Sequence, residues 1–507
     1  MKKNLLLISA LILCMVSFNT VKAQRYLTEV YTNVTVTKNV VYDSNMSWPA
    51  LPNVPPPLIQ IPLLCDIYEP ASDTATKRPM VIILHTGSFL PALINQQTTG
   101  GRTDSTIVEM CNRFARKGYV AVAMSYRLGW NPTTTNSDTA TSLLLQATYR
   151  AIQDTRNCVR FFRSNSATYK IDTDRIALGG QGTGGYVAMA YASLDKQAEI
   201  ELEKFSWSNT SPMVNTAAFG DWLGVGGIPQ LNISGDASVS TDVDFVFNYG
   251  GATGDSSWIE AGQVPIVSVH CVLDPYAPYG FSNVIVPTTG ATVINNACGS
   301  RETIRKNQEL GNNDIINGRN YNDVFTARAA TMNEGFEALY PLILPAASQQ
   351  FLNQGSPWEW WDSTTIKGYG AIGINAHRNS MLTNPDMSET KAKAYIDTIQ
   401  GFVTPRMVCA LGLPGCAAKK SIGINTIDLS KKVEVYPNPS ASNVTVYFPE
   451  GTIESVAIYN LNGQLVATQE NLNDSRVLVQ RGNLPTGIYL IKALSDKGIA
   501  YGKVIFE

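Results

Sequence analysis

The stretch Gly180-Gln181-Gly182-Thr183-Gly184 follows the apolar run Arg175-Ile176-Ala177-Leu178 and leads into the helix-like Tyr186-Val187-Ala188-Met189-Ala190. A short strand, a glycine-crowded turn and an immediate helix describe a nucleophile elbow, in which small neighbours let one strained residue project its side chain over a sheet. The projecting position is Gly182, so the Gly-x-Ser-x-Gly frame here carries no serine hydroxyl. Acyl chemistry also needs a base, an acid that orients it, and donors for a developing oxyanion. The sequence holds 3 histidines, His85, His270 and His377. Asp274 stands just after a strand-like run ending in Val269-His270-Cys271. Taken singly, such a histidine is ordinarily a packed or surface residue and such an aspartate caps a turn.

These residues need a sheet to position them. Residues 79–84 are a continuous apolar run that ends in His85-Thr86-Gly87-Ser88-Phe89, as a strand buried on both faces would. Residues 106–117 have helical spacing of Ile107, Met110, Cys111 and Phe114, stop at Gly118, and precede a strand over 119–124. A long helix is expected over 142–165, and further strands over 175–180, 244–249 and 265–270. Strands alternating with helices imply a mostly parallel α/β sheet, whose ligands gather at the carboxyl ends of the strands. Residues 26–42 read as a half-buried strand or hairpin ahead of a proline-rich turn over 49–62. Two long insertions, from the elbow helix to Asp244 and from Asp274 to His377, are placed to form a lid or substrate walls. The second contains Pro357-Trp358-Glu359-Trp360-Trp361-Asp362, either an aromatic ligand platform or, more ordinarily, core.

Bulk properties exclude some partners. With 507 residues and 44% hydrophobic composition the chain has room for two or more domains. A formal net charge of -2 at pH 7 lacks the basic excess that nucleic acid or an anionic membrane surface would require. Residues 1–23 read as a secretory signal peptide, with Lys2 and Lys3, an apolar run, and Val21-Lys22-Ala23 as the cleavage site. No later run is apolar for long enough to span a bilayer. Of the 8 cysteines, Cys14 falls in that leader. Among the rest, Cys409 and Cys416, flanking a short Gly/Pro loop, are the first disulfide candidate and Cys271 with Cys298 the second. Cys111 and Cys158 lie in helix-like segments and read as buried apolar residues. No metal-ligand cluster appears. Gly180-x-Gly182-x-x-Gly185 is formally a dinucleotide fingerprint, but it lies late in the sheet and leaves Asp274 and His377 unexplained, so no cofactor is expected.

From Val435 the composition changes to short Val/Ile/Tyr/Phe runs broken by Pro, Asn and Gly, at the spacing of a small β-sandwich. Tyr436-Pro437-Asn438-Pro439, the Asn460-x-x-Gly463 turn, Gly487-Ile488-Tyr489 and the ending from Lys497-Gly498 to Lys503-Val504 resemble the type A C-terminal sorting domain of type IX secretion substrates. The resemblance implies an encounter with the type IX machinery through residues 426–507 and a secreted or outer-surface location. A carbohydrate-binding module is the other reading of a terminal sandwich, though this one lacks an evident aromatic row.

Residues 63–410 resemble the carboxylesterase/lipase branch of the α/β-hydrolases. The matching stretches are Asp66-Ile67-Tyr68-Glu69-Pro70, His85-Thr86-Gly87-Ser88-Phe89, Ser125-Tyr126-Arg127-Leu128-Gly129, Asp172 through Ala177 before the elbow, and residues 265–278. The resemblance implies an α/β-hydrolase fold over residues 24–425, an ester-like ligand, Asp274 as acid and His377 as base. It also implies oxyanion donors from the backbone of Thr86 or Gly87 and of Thr183. Two positions depart from the family pattern: Thr86 replaces a usual glycine, and Gly182 vacates the nucleophile position. The expectation is a degenerate esterase that acts by binding. The alternatives are a working secreted hydrolase using Ser88 or Thr183 as a displaced hydroxyl or a water activated by His377, and a purely structural role at the cell surface.

Overall fold

The computed structural model describes residues 25–47, 58–134, 136–207, 211–286, 290–346, 353–420, 433–496 and 498–507. The expected leader, the 425/426 domain boundary and most of the proline-rich turn lie outside the described residues. The chain divides into two compact units between Lys419 and Lys420.

The first unit is built on an 8-stranded sheet. Its strands are β1 (Val34–Ser47), β2 (Ile59–Pro70), β3 (Arg78–Leu84), β4 (Val120–Met124), β5 (Ile171–Gln181), β6 (Phe245–Tyr249), β7 (Ile266–Cys271) and the edge strand Leu339–Leu342, here β10. They are ordered β1-β2-β4-β3-β5-β6-β7-β10. β1, β2 and β4 pair antiparallel and the remaining neighbours pair parallel. Every residue of β3, β4, β6 and β7 is buried, which is why these strands read as unbroken apolar runs rather than alternating ones. A separate hairpin, β8 (Phe281–Ile285) with β9 (Thr292–Cys298), rises from the second insertion.

Helices cover the sheet. α1 (Ser105–Lys117) buries the expected Ile107, Met110, Cys111 and Phe114 and ends at Gly118, whose φ of 105° permits the left-handed cap. α2 (Ser137–Ser164) starts five residues before the expected position, capped by the Asn136 side chain on the Thr139 N–H. α3 (Thr183–Ser193) follows β5 directly, and α4 (Ser300–Glu309), α5 (Ala371–Thr383) and α6 (Glu389–Ala410) complete the layers named here. Residues 26–33, expected to begin a strand, instead form a turn and irregular chain, and β1 starts at Val34. Cys409 and Cys416 form a disulfide. Cys271 and Cys298, the second expected pair, are free: Cys271 ends β7, beside the edge strand β10, while Cys298 ends the hairpin and lies against the Thr303 hydroxyl.

The second unit packs two antiparallel sheets. One orders β11 (Glu434–Tyr436), β12 (Asn443–Tyr447) and β15 (Arg476–Gln480). The other orders β14 (Leu465–Gln469), β13 (Ile453–Tyr459), β16 (Gly487–Ser495) and β17 (Gly498–Phe506). Alternate residues such as Val444, Val446, Val456, Ile458, Ile491 and Ala493 face one buried core. The Asn438 side chain bridges the Lys503 carbonyl and the Ile505 N–H, and Asn460 accepts from the N–H groups of Asn462 and Gln464 around Gly463. Both turn motifs are therefore hydrogen-bonded devices of the sandwich.

Candidate active site

The elbow backbone is intact. β5 ends at Gln181, Gly182 takes φ 53° and ψ -119°, and α3 starts at Thr183. The Gly182 N–H donates to the Tyr249 carbonyl at 2.8 Å, tying the turn to the end of β6. The flanking glycines are required by close approach: a Cβ on Gly184 would stand 2.4 Å from the Leu84 carbonyl oxygen. At Gly182 the obstacle is a side chain. A Cβ there would lie 2.2 Å from Thr86 Oγ1 and 3.0 Å from Thr86 Cβ, so the hydroxyl of Thr86 occupies the volume a nucleophile side chain would use.

Thr86 is held from behind. The buried His85 ring donates from Nδ1 to the Thr86 carbonyl at 2.6 Å and stacks on Tyr126 with centroids 4.5 Å apart. Burial pushes the His85 imidazole down to about 4, so it is neutral near pH 7. The Tyr126 hydroxyl donates to the His85 carbonyl at 2.8 Å and lies 3.4 Å from Thr183 Oγ1. Gly87, at φ 125°, packs against Gly100, and its carbonyl accepts from the Asn95 amide. Ser88 is exposed at φ 54°, with its carbonyl taken by the Trp130 indole N–H.

Asp274 follows β7 as expected. Its Oδ1 accepts the N–H groups of Tyr276 and Ala277 at 2.7 and 3.1 Å, an Asx turn that orients the carboxyl. Burial outweighs these bonds and pushes it up to about 7. Its Oδ2 stands 3.9 Å from His270 Nε2. His270 is also buried, is pushed down to about 4, accepts from Ser300 at Nδ1 and donates from Nε2 to the Ala277 carbonyl. With the histidine charged only below about 4 and the carboxylate only above about 7, the two never form an ion pair.

His377 lies on α5 and is half-buried. Its Nδ1 accepts the Trp361 indole N–H at 3.0 Å. The neutral ring therefore carries its proton on Nε2, the opposite of the tautomer in which Nδ1–H faces an acid and Nε2 receives a proton. Among the described residues no hydrogen bond or ion pair joins His377 to Asp274. Burial, then the charge of Lys367, lowers its affinity for a proton.

Two carboxyls that the sequence did not single out also lie near these groups. Glu359 lies near the Thr99 side chain and is pushed up to about 8 by burial and then by the charges of Asp104 and Asp274. The Thr99 carbonyl accepts from the Asn95 amide that also holds Gly87, which places Glu359 beside the Thr86 loop. Asp104 accepts from the N–H groups of Gly100 and Gly101 and burial pushes it up to about 7. Glu359 lay within the aromatic stretch already noted, whereas Asp104 carried no sequence signal. In that stretch Trp358 and Trp361 are core, 1% and 8% exposed, with Trp358 against Tyr249.

Residues 65–286 match the BD-FAE family model and residues 434–507 match the model of the secretion system C-terminal sorting domain. The chain carries a BD-FAE domain and a secretion system C-terminal sorting domain. The BD-FAE domain is esterase-like and has the α/β-hydrolase fold, and the antiparallel sandwich is the sorting domain, which directs the protein through type IX secretion to the cell surface or extracellular space.

Among solved structures, Thermogutta terrifontis esterase 2 phosphorylated by paraoxon is similar at 18% identity and TM-score 0.29, covering 48% of this chain and 73% of that one. The propionate-bound esterase of the same organism is similar at 16% identity and TM-score 0.28, covering 43% of this chain and 70% of that one. No curated protein matches the chain. Among the described residues no helix is long and apolar enough to cross a membrane.

Proposed function

We propose that the BD-FAE domain is a degenerate esterase, exported after removal of a leader at residues 1–23, that binds an ester-like ligand at the elbow without forming an acyl-enzyme. One observation carries this reading: the elbow keeps its strained backbone while Gly182 supplies no side chain and Thr86 Oγ1 fills the space. Loss of the nucleophile in a serine hydrolase costs on the order of a million-fold in turnover and leaves binding and oxyanion stabilisation in place. In this reading the backbone N–H groups of Thr86, Gly87 and Thr183 face the ligand carbonyl, and Asp274 and His377 retain the acid and base positions without acting together. The cleft belongs to residues 24–425, and residues 426–507 serve export.

The competing reading is an active hydrolase using Ser88, Thr183 or a water activated by His377. The Trp361 bond to His377 Nδ1 weighs against the last route, since it leaves the Nε2 atom protonated. Hydrolysis of 4-nitrophenyl butyrate by the purified full chain and by His377→Ala separates the readings. Binding alone predicts no turnover above buffer in either protein. Turnover by the wild type that disappears in His377→Ala overturns it.

A further inference from the structure

We propose that the Thr86 hydroxyl is the group with which the elbow cleft holds its ligand, donating a hydrogen bond to the carbonyl oxygen of an uncharged carboxylic ester. This rests on the reading of the cleft as a binding site and assigns its anchor.

The position comes first. Thr86 Oγ1 lies 2.2 Å from the point where a side chain on Gly182 would begin, so it presents an oxygen where a serine hydrolase presents its nucleophile. Threonine and glycine at these two positions are sterically matched, because either a side chain at 182 or the present Thr86 rotamer fits, but not both. Availability is the second argument. The neighbouring polar groups are engaged: His85 Nδ1 with the Thr86 carbonyl, the Tyr126 hydroxyl with the His85 carbonyl, and the Asn95 amide with the Gly87 carbonyl. Among the described residues the Thr86 hydroxyl has no such partner, and the residue is only half-buried, so its proton is free for a ligand. Third, the backbone that carries it is clamped by the stacked His85 and Tyr126 rings, which spares the ordering cost a mobile donor would incur on binding.

The chemistry around it selects the ligand. Glu359 neighbours Asp104 and Asp274, and none of the three has a lysine or arginine ion-pair partner among the described residues. A carboxylate entering beside them would meet like charge as they ionise, whereas an ester carbonyl offers the same acceptor without charge. Without a base shown to receive its proton, Thr86 binds rather than attacks.

The test uses phenyl butyrate and sodium butyrate as probes, titrated into the full chain by ligand-detected NMR, with thermal melts showing that each variant is folded. Wild type should bind phenyl butyrate. Thr86→Val, which keeps the shape and removes the donor, should weaken binding by about tenfold, while Thr86→Ser should stay within about threefold. Gly182→Ala should displace the hydroxyl and weaken binding similarly, and adding Thr86→Val to it should cost nothing further. Equal binding by wild type and Thr86→Val overturns the assignment of Thr86 while leaving the binding reading intact. Butyrate binding as tightly as the ester overturns the ligand class. Failure of wild type to bind phenyl butyrate overturns the binding reading and the anchor with it.

Discussion

Thr86 Oγ1 stands 2.2 Å from where a side chain on Gly182 would begin, so the loop after β3 reaches into the space that a side chain at the turn between β5 and α3 would occupy. Placing a serine at position 182 is therefore a two-residue problem. Gly182→Ser alone should cost about 1–3 kcal/mol, because a non-glycine residue must hold φ 53° and ψ -119° and Thr86 must also move. The double variant Thr86→Gly with Gly182→Ser should recover part of that loss. Urea denaturation of the two single variants and the double variant measures the coupling, and strict additivity would show that the side chains do not compete.

The glycine after the elbow is constrained by backbone rather than by a side chain. A Cβ on Gly184 would come 2.4 Å from the Leu84 carbonyl oxygen and 2.7 Å from that of His85. Because β3 and α3 must separate to admit it, Gly184→Ala should destabilise the first unit by about 1–3 kcal/mol. Urea midpoints compared at constant slope give the value.

The raised carboxyls make stability depend on pH in a defined direction. Glu359 is pushed up to about 8 and Asp104 and Asp274 to about 7, so the folded protein holds protons that the unfolded chain has released. Their contribution is complete below the ordinary carboxyl range near 4 and is lost as pH rises through 7 to 8. His85 and His270, pushed down to about 4, act in the opposite sense: their contribution is present above about 6.5 and is lost as pH falls through 4. Wild type should thus lose stability between pH 5.5 and 8.5, and Glu359→Gln should lose less. Chemical denaturation at the two pH values tests this, and a parallel decline in the variant would exclude Glu359 as a source.

The sheet was legible where burial on both faces leaves an unbroken apolar run, as in Met80-Val81-Ile82-Ile83-Leu84 and Phe245-Val246-Phe247. β10 was not, because four residues containing Pro341 at a sheet edge carry no periodicity. The elbow was legible because close approach of backbones demands glycine at fixed spacing. The entry of Thr86 into it was not, since that is a contact between two loops distant in sequence. His377 was picked out by the match of its position to the resembled family's base, but its tautomer depends on Trp361, which aromatic clustering alone placed in either core or platform.

That tautomer is directly measurable. With Trp361 donating to Nδ1, long-range proton–nitrogen correlation spectra near neutral pH should show His377 protonated at Nε2. Trp361→Phe removes the donor and should bring the Nδ1–H form into exchange. A wild-type His377 protonated at Nδ1 would return it to a base-competent arrangement.

An elbow without a reactive hydroxyl should resist an organophosphorus probe. Incubation of the full chain with an alkyl fluorophosphonate, followed by intact mass measurement and peptide mapping, tests it most directly, because an activated hydroxyl forms an O–P bond as fluoride leaves. The mass should stay unmodified after prolonged exposure. A stoichiometric adduct mapped to Thr86, Ser88 or Thr183 would contradict it and identify the hydroxyl that performs catalysis.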